Sequence, residues 1–99
     1  MRAILPGDLE RCAIALLAMP PVERPLVMGR ILSDADLADR YRKRLGRVHP
    51  TLGDGSLTSA ARQQGRSARP ARCDPRFCAC LSVVLDGIAA WRARAVTVR

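Results

Sequence analysis

The chain has few aromatic and strand-forming residues. Only Tyr41, Phe77 and Trp91 are aromatic among its 99 residues, and much of its 48% hydrophobic content is alanine. Alanine favours helices, whereas the strand formers valine, isoleucine and threonine are sparse and scattered. The composition therefore predicts an all-α protein. Its hydrophobic content also excludes a chain that is disordered throughout.

A long apolar run is missing as well. The best candidate, Cys12–Met19, is far too short to cross a bilayer. Charges at Glu10 and Arg11 lie where a secretory signal needs an apolar core, so no signal peptide is predicted. We therefore expect a cytoplasmic protein without a membrane partner, in which the four cysteines are reduced thiols.

No complete catalytic signature is present. The single histidine, His49, precedes a proline in a loop-like segment, and the Gly-x-Ser-x-Gly motif of a nucleophile elbow is missing. Gly53 and Gly55 are not followed by the Gly-Lys-Ser/Thr of a phosphate-binding loop, so turn formation explains them better. We expect no enzyme activity and no cofactor, because no nucleophile, base and orienting group form a recognisable set.

Three of the cysteines lie close together in the sequence, as Cys73, Cys78 and Cys80. Clustered thiolates suggest a zinc or iron–sulfur site, for which His49 is a further candidate ligand. If a helix begins at Asp74, however, Cys78 and Cys80 point about 200° apart around its axis and cannot grip one ion. A metal or redox site is therefore a remote alternative, and no metal site is predicted.

Two shorter helices are expected, one at the start of the chain and one near its middle. The first spans about residues 8–19, with Asp8 as a good N-cap and an end before Pro20-Pro21. The other spans about residues 57–64 after a turn-rich loop, and Ser56 is positioned to cap it. Apolar residues recur every three or four positions in both segments, as the core-facing side of a helix requires.

A long helix is predicted over about residues 22–46. Pro25 is tolerated in its first turn, and Gly46 is a natural C-cap. In the alternative interpretation, Ser33 caps a separate helix with Asp36 in the reciprocal position. One continuous helix is favoured because its apolar seam stays in phase, and this seam comprises Val27, Ile31, Ala38, Tyr41 and Leu45.

The last predicted helix spans about residues 74–95 and starts at the strong signal Asp74-Pro75. Gly87 within it permits close contact with another helix. Its apolar stripe comprises Phe77, Leu81, Val84, Ile88, Trp91 and Ala95. We expect one helical domain over 1–99, with a flexible linker at 65–72 and a homodimer through residues 77–95 as one form of partner.

Charge is unevenly distributed along the chain. Residues 1–40 carry five arginines and six acidic residues, whereas residues 41–99 carry twelve basic residues and three acidic ones. Such asymmetry suggests an acidic partner for the second half, for example nucleic acid or an acidic protein. The excess of arginine and alanine, with Lys43 as the only lysine, also fits the coding bias of a GC-rich genome. That bias would raise the charge without a function behind it.

A basic stripe marks the end of the long helix. Its members share one helix face at i, i+3, i+4 and i+7, and they are Arg40, Lys43, Arg44 and Arg47. Asp36–Arg40 and Asp39–Lys43 are i, i+4 pairs in the favourable order, so local electrostatics can explain much of the cluster.

Two functional hypotheses concern this region. In the first, a non-enzymatic accessory or protein-interaction protein uses the stripe together with His49, Asp54 and Ser56 of the following loop as its binding surface. In the second, a nucleic-acid-binding protein contacts phosphates without base specificity. The residues proposed for these phosphate contacts are Arg40, Arg42, Lys43, Arg44 and Arg47. The loop is long for a helix-turn-helix, and RNA-binding aromatics and zinc-finger spacing are missing.

The most distinctive segment is Asp39–Leu57, with the sequence D-R-Y-R-K-R-L-G-R-V-H-P-T-L-G-D-G-S-L. With P-G-D-L at residues 6–9 and Cys80-Leu81 in the last helix, it resembles a small family of conserved hypothetical proteins from alphaproteobacteria of the Rhodobacter type. The resemblance implies a bacterial, cytoplasmic domain of unknown function and supplies no mechanism. It would also account for the arginine and alanine content.

Overall fold

The computed structural model describes residues 2–64 and 74–97. Within them, four α-helices follow one another: α1 (Pro6–Leu17), α2 (Arg24–Leu45), α3 (Leu57–Gln64) and α4 (Pro75–Thr97). A short 3-10 helix, Pro21–Glu23, precedes α2. The described segments contain no strand, so the all-α prediction is confirmed. The linker expected at 65–72 and Cys73 lie outside the described residues.

The core forms where α3 and α4 each contact both α1 and α2. In α1 the five consecutive residues Cys12–Leu16 are all buried, which is the pattern of a helix covered on every side. The largest fully buried apolar side chains come from all four helices, and they include Leu16, Met28, Ile31, Leu32, Leu57 and Val84. None of the helices in the described part of the chain is both long and apolar enough to cross a bilayer.

The contact between α2 and α4 depends on Gly87. A Cβ atom at this position would lie 2.8 Å from Cγ of Met28, so glycine allows the two helices to approach closely, as the sequence predicts. Phe77 and Val84 of α4 are buried in the core. Leu81, which we expected to be buried with them, is only half-buried because it faces the open edge between α1 and α4.

The start of α1 corrects the sequence prediction. The helix begins at Pro6, so Asp8 is its third residue and not its N-cap. Its Oδ2 atom accepts a hydrogen bond from the Leu5 N–H at 2.8 Å. Its Oδ1 atom accepts from the Thr58 N–H at 3.1 Å and from the Thr58 hydroxyl. Asp8 therefore joins the N-termini of α1 and α3, where helix dipoles favour negative charge.

α1 ends at Leu17 and α4 at Thr97, whereas the sequence predicts ends near residues 19 and 95. Four other helix ends agree with the sequence signals. Pro25 lies in the first turn of α2, which runs unbroken past Ser33, so the single long helix is confirmed. Gly46 ends it in the left-handed conformation, with a φ of 71°. Ser56 caps α3 because its Oγ accepts the Ser59 N–H at 3.1 Å. In the same way, Oδ1 of Asp74 caps α4 by accepting the Arg76 N–H at 2.8 Å.

Candidate functional site

The basic stripe at the end of α2 is partly paired with acidic residues of the same helix. Nη2 of Arg40 lies 2.8 Å from Oδ2 of Asp36, and Nζ of Lys43 lies 2.9 Å from Oδ2 of Asp39. Both i, i+4 pairs predicted from the sequence are confirmed. Nη2 of Arg42 also lies 3.3 Å from Oδ1 of Asp39. Three of the five cations proposed to contact phosphates are thus held by neighbouring carboxylates.

The two remaining cations of the stripe, Arg44 and Arg47, differ from these. Arg47 follows Gly46, which ends α2 in the left-handed conformation, so its predicted position at i+7 on the same helix face is wrong. Both are exposed, and within residues 2–64 and 74–97 neither has an ion-pair partner. They therefore present a positive charge to solvent that nothing in the described part of the chain compensates.

Asp39 links α2 to the loop that follows it. Its side chain is 1% exposed, and burial alone would raise its pKa. Several lowering interactions outweigh that effect and hold the pKa of Asp39 well below its usual range; the largest comes from Lys43, and Arg42 contributes another. Gly55 packs directly on it, because a Cβ atom there would lie 2.8 Å from Cα of Asp39. With a φ of 94°, Gly55 also adopts a backbone conformation that other residues rarely accept.

His49 organises the loop between α2 and α3. Its Nδ1 atom accepts hydrogen bonds from the backbone N–H groups of Thr51, at 3.1 Å, and Leu52, at 3.0 Å. These bonds require an unprotonated Nδ1. The imidazole also meets the ring of Tyr41 edge-on, with the ring centroids 4.6 Å apart. His49 therefore shapes the loop and attaches it to α2.

Asp54 and Ser56 shape the other end of the same loop. Oδ1 of Asp54 accepts the Ser56 N–H at 3.0 Å, and Oδ2 lies 3.3 Å from Nη1 of Arg2. Hydrogen bonding with Ser56 is the main cause of a lowered Asp54 pKa. Because Ser56 also caps α3, both side chains have a structural task at this helix start.

A groove at the end of α2, which we call the Tyr41 groove, brings some of the predicted site residues together. It has a volume of about 630 Å³, and its lining consists of Leu37, Arg40, Tyr41, Arg44, Leu45 and His49. Leu37 is 54% exposed and Leu45 is 51% exposed, so the groove is apolar as well as basic. Of the predicted site residues, Arg40, Arg44 and His49 meet here. The others do not line the groove, and they are Lys43, Arg47, Asp54 and Ser56.

The apolar seam of α2 predicts that Tyr41 and Leu45 lie in the core, and Leu37 is not part of that seam. The apolar seam of α2 correctly predicts buried residues such as Ile31 and Ala38, but the packing on it ends before Leu45. The signal for the groove was the spacing of Leu37, Tyr41 and Leu45 at i, i+4 and i+8, which places them on one side of the helix.

A second groove, the Trp91 groove, lies between the first half of α2 and the second half of α4. It has a volume of about 760 Å³, and its lining includes Leu26, Gly29, Arg30, Asp86, Trp91 and Arg94. Leu26 is 69% exposed. The sequence predicts Trp91 as part of the α4 stripe, but Leu26 and Gly29 lie outside the core seam and were not identified.

The cysteines do not form a recognisable metal centre in the described part of the chain. Cys80 is buried in the core, whereas Cys78 is exposed. Burial raises the pKa of the Cys80 thiol. Burial and the nearby carboxylate of Asp8 raise the pKa of Cys12 to about 12, so both buried thiols stay protonated. Among residues 2–64 and 74–97, no three His, Cys, Asp or Glu side chains converge as metal ligands.

Comparison with known proteins identifies a family and no activity. No curated protein and no solved structure matches the sequence significantly. The family model of a domain of unknown function, DUF7742, matches residues 2–88. This span covers α1 to α3, more than half of α4 and the whole lining of the Tyr41 groove. The chain therefore belongs to the DUF7742 family, and the expectation of a domain of unknown function is confirmed.

Proposed function

We propose that this protein is a non-enzymatic interaction module that binds an acidic, amphipathic helix of a partner protein in the Tyr41 groove. The observation that carries the proposal is the combination of exposed leucines with arginines in one groove. Leu37 and Leu45 are each about half exposed, and the described lining contains two arginines and no acidic residue. Such a surface matches a partner with an apolar face and negative flanks.

The apolar part of the groove has the dimensions of a helix-docking surface. Leu37, Tyr41 and Leu45 follow one another at i, i+4 and i+8, so they form a strip of roughly 12 Å along α2. A partner helix with apolar residues at similar intervals would cover this strip. Covering the exposed half of each leucine would contribute about 1 kcal/mol per residue.

The charged part of the groove favours a partner of negative sign. Arg44 has no ion-pair partner in the described residues, so an acidic side chain would gain an interaction without displacing one. Arg40 is 75% exposed and shares its charge with Asp36. Charges at such a rim mainly orient the partner and speed its approach, and salt weakens them.

Nucleic-acid binding is the alternative function, and the geometry supports it less well. Phosphates at Arg40 or Lys43 would also meet the carboxylates of Asp36 and Asp39. Leu37 and Leu45 would gain nothing from contact with a phosphate backbone. Of the five residues proposed for phosphate contacts, Arg44 and Arg47 are therefore the two on which the alternative depends.

We also propose a bacterial and cytoplasmic setting for the protein. The segment Asp39–Leu57 resembles proteins of alphaproteobacteria. The core holds Cys12 and Cys80 as thiols, which suits a reducing compartment. A second copy of the same chain, forming a homodimer, is the other protein partner that we propose.

The proposal can be tested with designed helical peptides. One labelled peptide carries leucines on one face and glutamates on its flanks, and a matched peptide carries glutamine in place of glutamate. We expect fluorescence anisotropy to show binding of the acidic peptide, and binding weaker by roughly tenfold for the glutamine peptide. Arg44→Glu should abolish binding, whereas Arg62→Glu makes the same charge change at an exposed position of α3 and should affect it little.

Labelled duplex DNA and single-stranded RNA belong in the same experiment. We expect no binding of either at moderate salt. Binding of nucleic acid that falls steeply with salt, is lost in Arg44→Glu, and exceeds the binding of the acidic peptide would replace our proposal with the alternative. Equal binding of the acidic and glutamine peptides would also overturn it.

A further inference from the structure

The Trp91 groove fits a different partner. We infer that it is the interface through which two copies of this chain associate. The proposed function concerns the other groove, so the two proposals can fail separately. Three features of the groove support a second copy as its occupant, and they are its charges, its glycine and its exposed apolar side chains.

The charges of the Trp91 groove have both signs. Arg30 and Arg94 are basic, Asp86 is acidic, and within the described residues none of the three has an ion-pair partner. In a two-fold dimer the same patch faces itself, so an acidic residue of one copy can meet a basic residue of the other. A surface with both signs can therefore complement itself, whereas the basic lining of the Tyr41 groove cannot.

Gly29 has no evident role within a single copy. Glycine inside a helix costs about 1 kcal/mol relative to alanine. A Cβ atom at Gly29 would meet nothing within 4 Å, and its backbone is ordinary α-helix, so neither packing nor conformation requires glycine there. Gly87 on the opposite wall differs, because Met28 of the same chain lies against it. If a helix of a second copy packed against the exposed backbone at Gly29, the missing side chain would allow the two helices to approach closely.

The apolar residues of the groove leave surface for a partner to cover. Leu26 is 69% exposed, and Trp91 is half-buried at the opposite wall. A chain of this length has a modest core, so covering more apolar surface by association stabilises it. A two-fold interface covers each of these residues twice, once in each copy.

The first test measures mass and fluorescence over a wide range of protein concentration. Sedimentation equilibrium should show a monomer that converts to a dimer as the concentration rises. Trp91 is the only tryptophan, so its emission reports directly on this groove and should shift to shorter wavelength along the same concentration curve. A monomer at every concentration would overturn the inference, as would a dimer whose formation leaves the emission unchanged.

The second test uses two matched glycine substitutions. Gly29→Gln should weaken the dimer by at least roughly tenfold, since the new side chain fills the space that the partner helix needs. Gly7→Gln is the control, because a Cβ atom at Gly7 in α1 would also meet nothing within 4 Å, and Gly7 lies outside the Trp91 groove. Circular dichroism should show both variants folded. A dimer that survives Gly29→Gln would exclude this interface.

A third test exploits the charges. Asp86→Arg makes the groove entirely positive, and the double variant Arg30→Asp/Arg94→Asp makes it entirely negative. Each variant alone should be monomeric, because like charges face each other across the two-fold axis. Mixing the two should yield a one-to-one heterodimer that regains the shifted Trp91 emission. Failure of the mixture to associate would contradict the inferred pairing.

Discussion

The Tyr41 groove and the Trp91 groove have similar apolar walls but different charge patterns. In the first, the charged residues of the described lining are Arg40 and Arg44. In the second, Arg30 and Arg94 are accompanied by Asp86. Both grooves expose leucine on α2, with Leu37 at 54% and Leu26 at 69%. Exposed apolar side chains are therefore common to both grooves, and the signs of the charges distinguish the partners that we propose for them.

The grooves also differ in how they are built. The Tyr41 groove depends on one helix and a loop that His49 and Gly55 hold against it. The Trp91 groove is formed by two long helices that pack closely at Gly87. Substitutions in the loop should thus disrupt the Tyr41 groove and leave the Trp91 groove intact.

The largest effect is expected for Gly55→Ala. The new Cβ would lie 2.8 Å from the backbone of Asp39 at a φ of 94°, so overlap and strain together should cost roughly 2–4 kcal/mol in unfolding free energy. Urea denaturation measures this cost. Gly29→Ala, at a helical position with open space, is the matched control and should stabilise the monomer by up to about 1 kcal/mol. Equal destabilisation by both changes would contradict the close contact of the loop with Asp39.

Asp39→Asn should cost about 2 kcal/mol at neutral pH, less than a fully buried ion pair because Lys43 is exposed. The folded-state pKa of Asp39 is below its unfolded value of about 3.9, so its stabilisation is present above that value and disappears as the pH falls below it. Urea denaturation at pH 7 and pH 3 should show a smaller loss of stability on acidification for the variant than for the natural protein. An identical loss of stability in both proteins would contradict the lowered pKa of Asp39 in the folded state.

Asp36, the partner of Arg40, provides the comparison for this change. Its side chain is 18% exposed and Arg40 is 75% exposed, so solvent screens this pair more than the Asp39 pairs, and Asp36→Asn should cost less than Asp39→Asn.

A smaller effect is expected for His49→Ala, which should destabilise the protein by about 1 kcal/mol because two backbone N–H groups lose their acceptor. Hydrogen exchange at Thr51 and Leu52 should accelerate, and acidic-peptide binding should weaken. His49→Asn is the matched variant, since its side-chain oxygen can accept the same N–H groups while the contact with Tyr41 is lost. Unchanged exchange at both amides in His49→Ala would exclude this role for Nδ1.

The smallest stability effects are expected for Leu37→Ala and Leu26→Ala, within about 0.5 kcal/mol, because both side chains are exposed. Their effects on binding should be opposite. Leu37→Ala should weaken binding of the acidic peptide and leave self-association intact. Leu26→Ala should weaken self-association and leave binding of the peptide intact. If either variant lost both peptide binding and self-association, the two grooves would act as one binding surface, contrary to our proposals.

Much of the fold could be predicted because its signals are local. Pro25, Gly46 and Asp74-Pro75 fix helix ends through backbone chemistry that needs no distant partner, and all of them act as the sequence indicates. Asp8 could not be assigned correctly, because its role depends on Thr58, fifty positions away in the chain. Its carboxylate reaches back to Leu5 from the third helical position, and an N-cap aspartate would leave a closely similar sequence pattern.

The candidate site was less predictable than the fold. The basic stripe was visible, but the sequence does not show that Arg44, unlike Arg40 and Lys43, lacks a carboxylate partner among the described residues. Periodicity identifies the face of a helix and not the length over which other helices cover it. The grooves arise where that covering ends, and this depends on the packing of all four helices.

The most direct test of the two-groove assignment is a titration of the isotope-labelled protein with the acidic peptide, followed by amide and indole chemical shifts. We predict shift changes confined to Leu37, Tyr41, Leu45 and their neighbours, with the indole resonance of Trp91 unmoved at constant protein concentration. Changes centred on Trp91, or spread equally over both grooves, would contradict the claim that charge pattern assigns each groove its own partner.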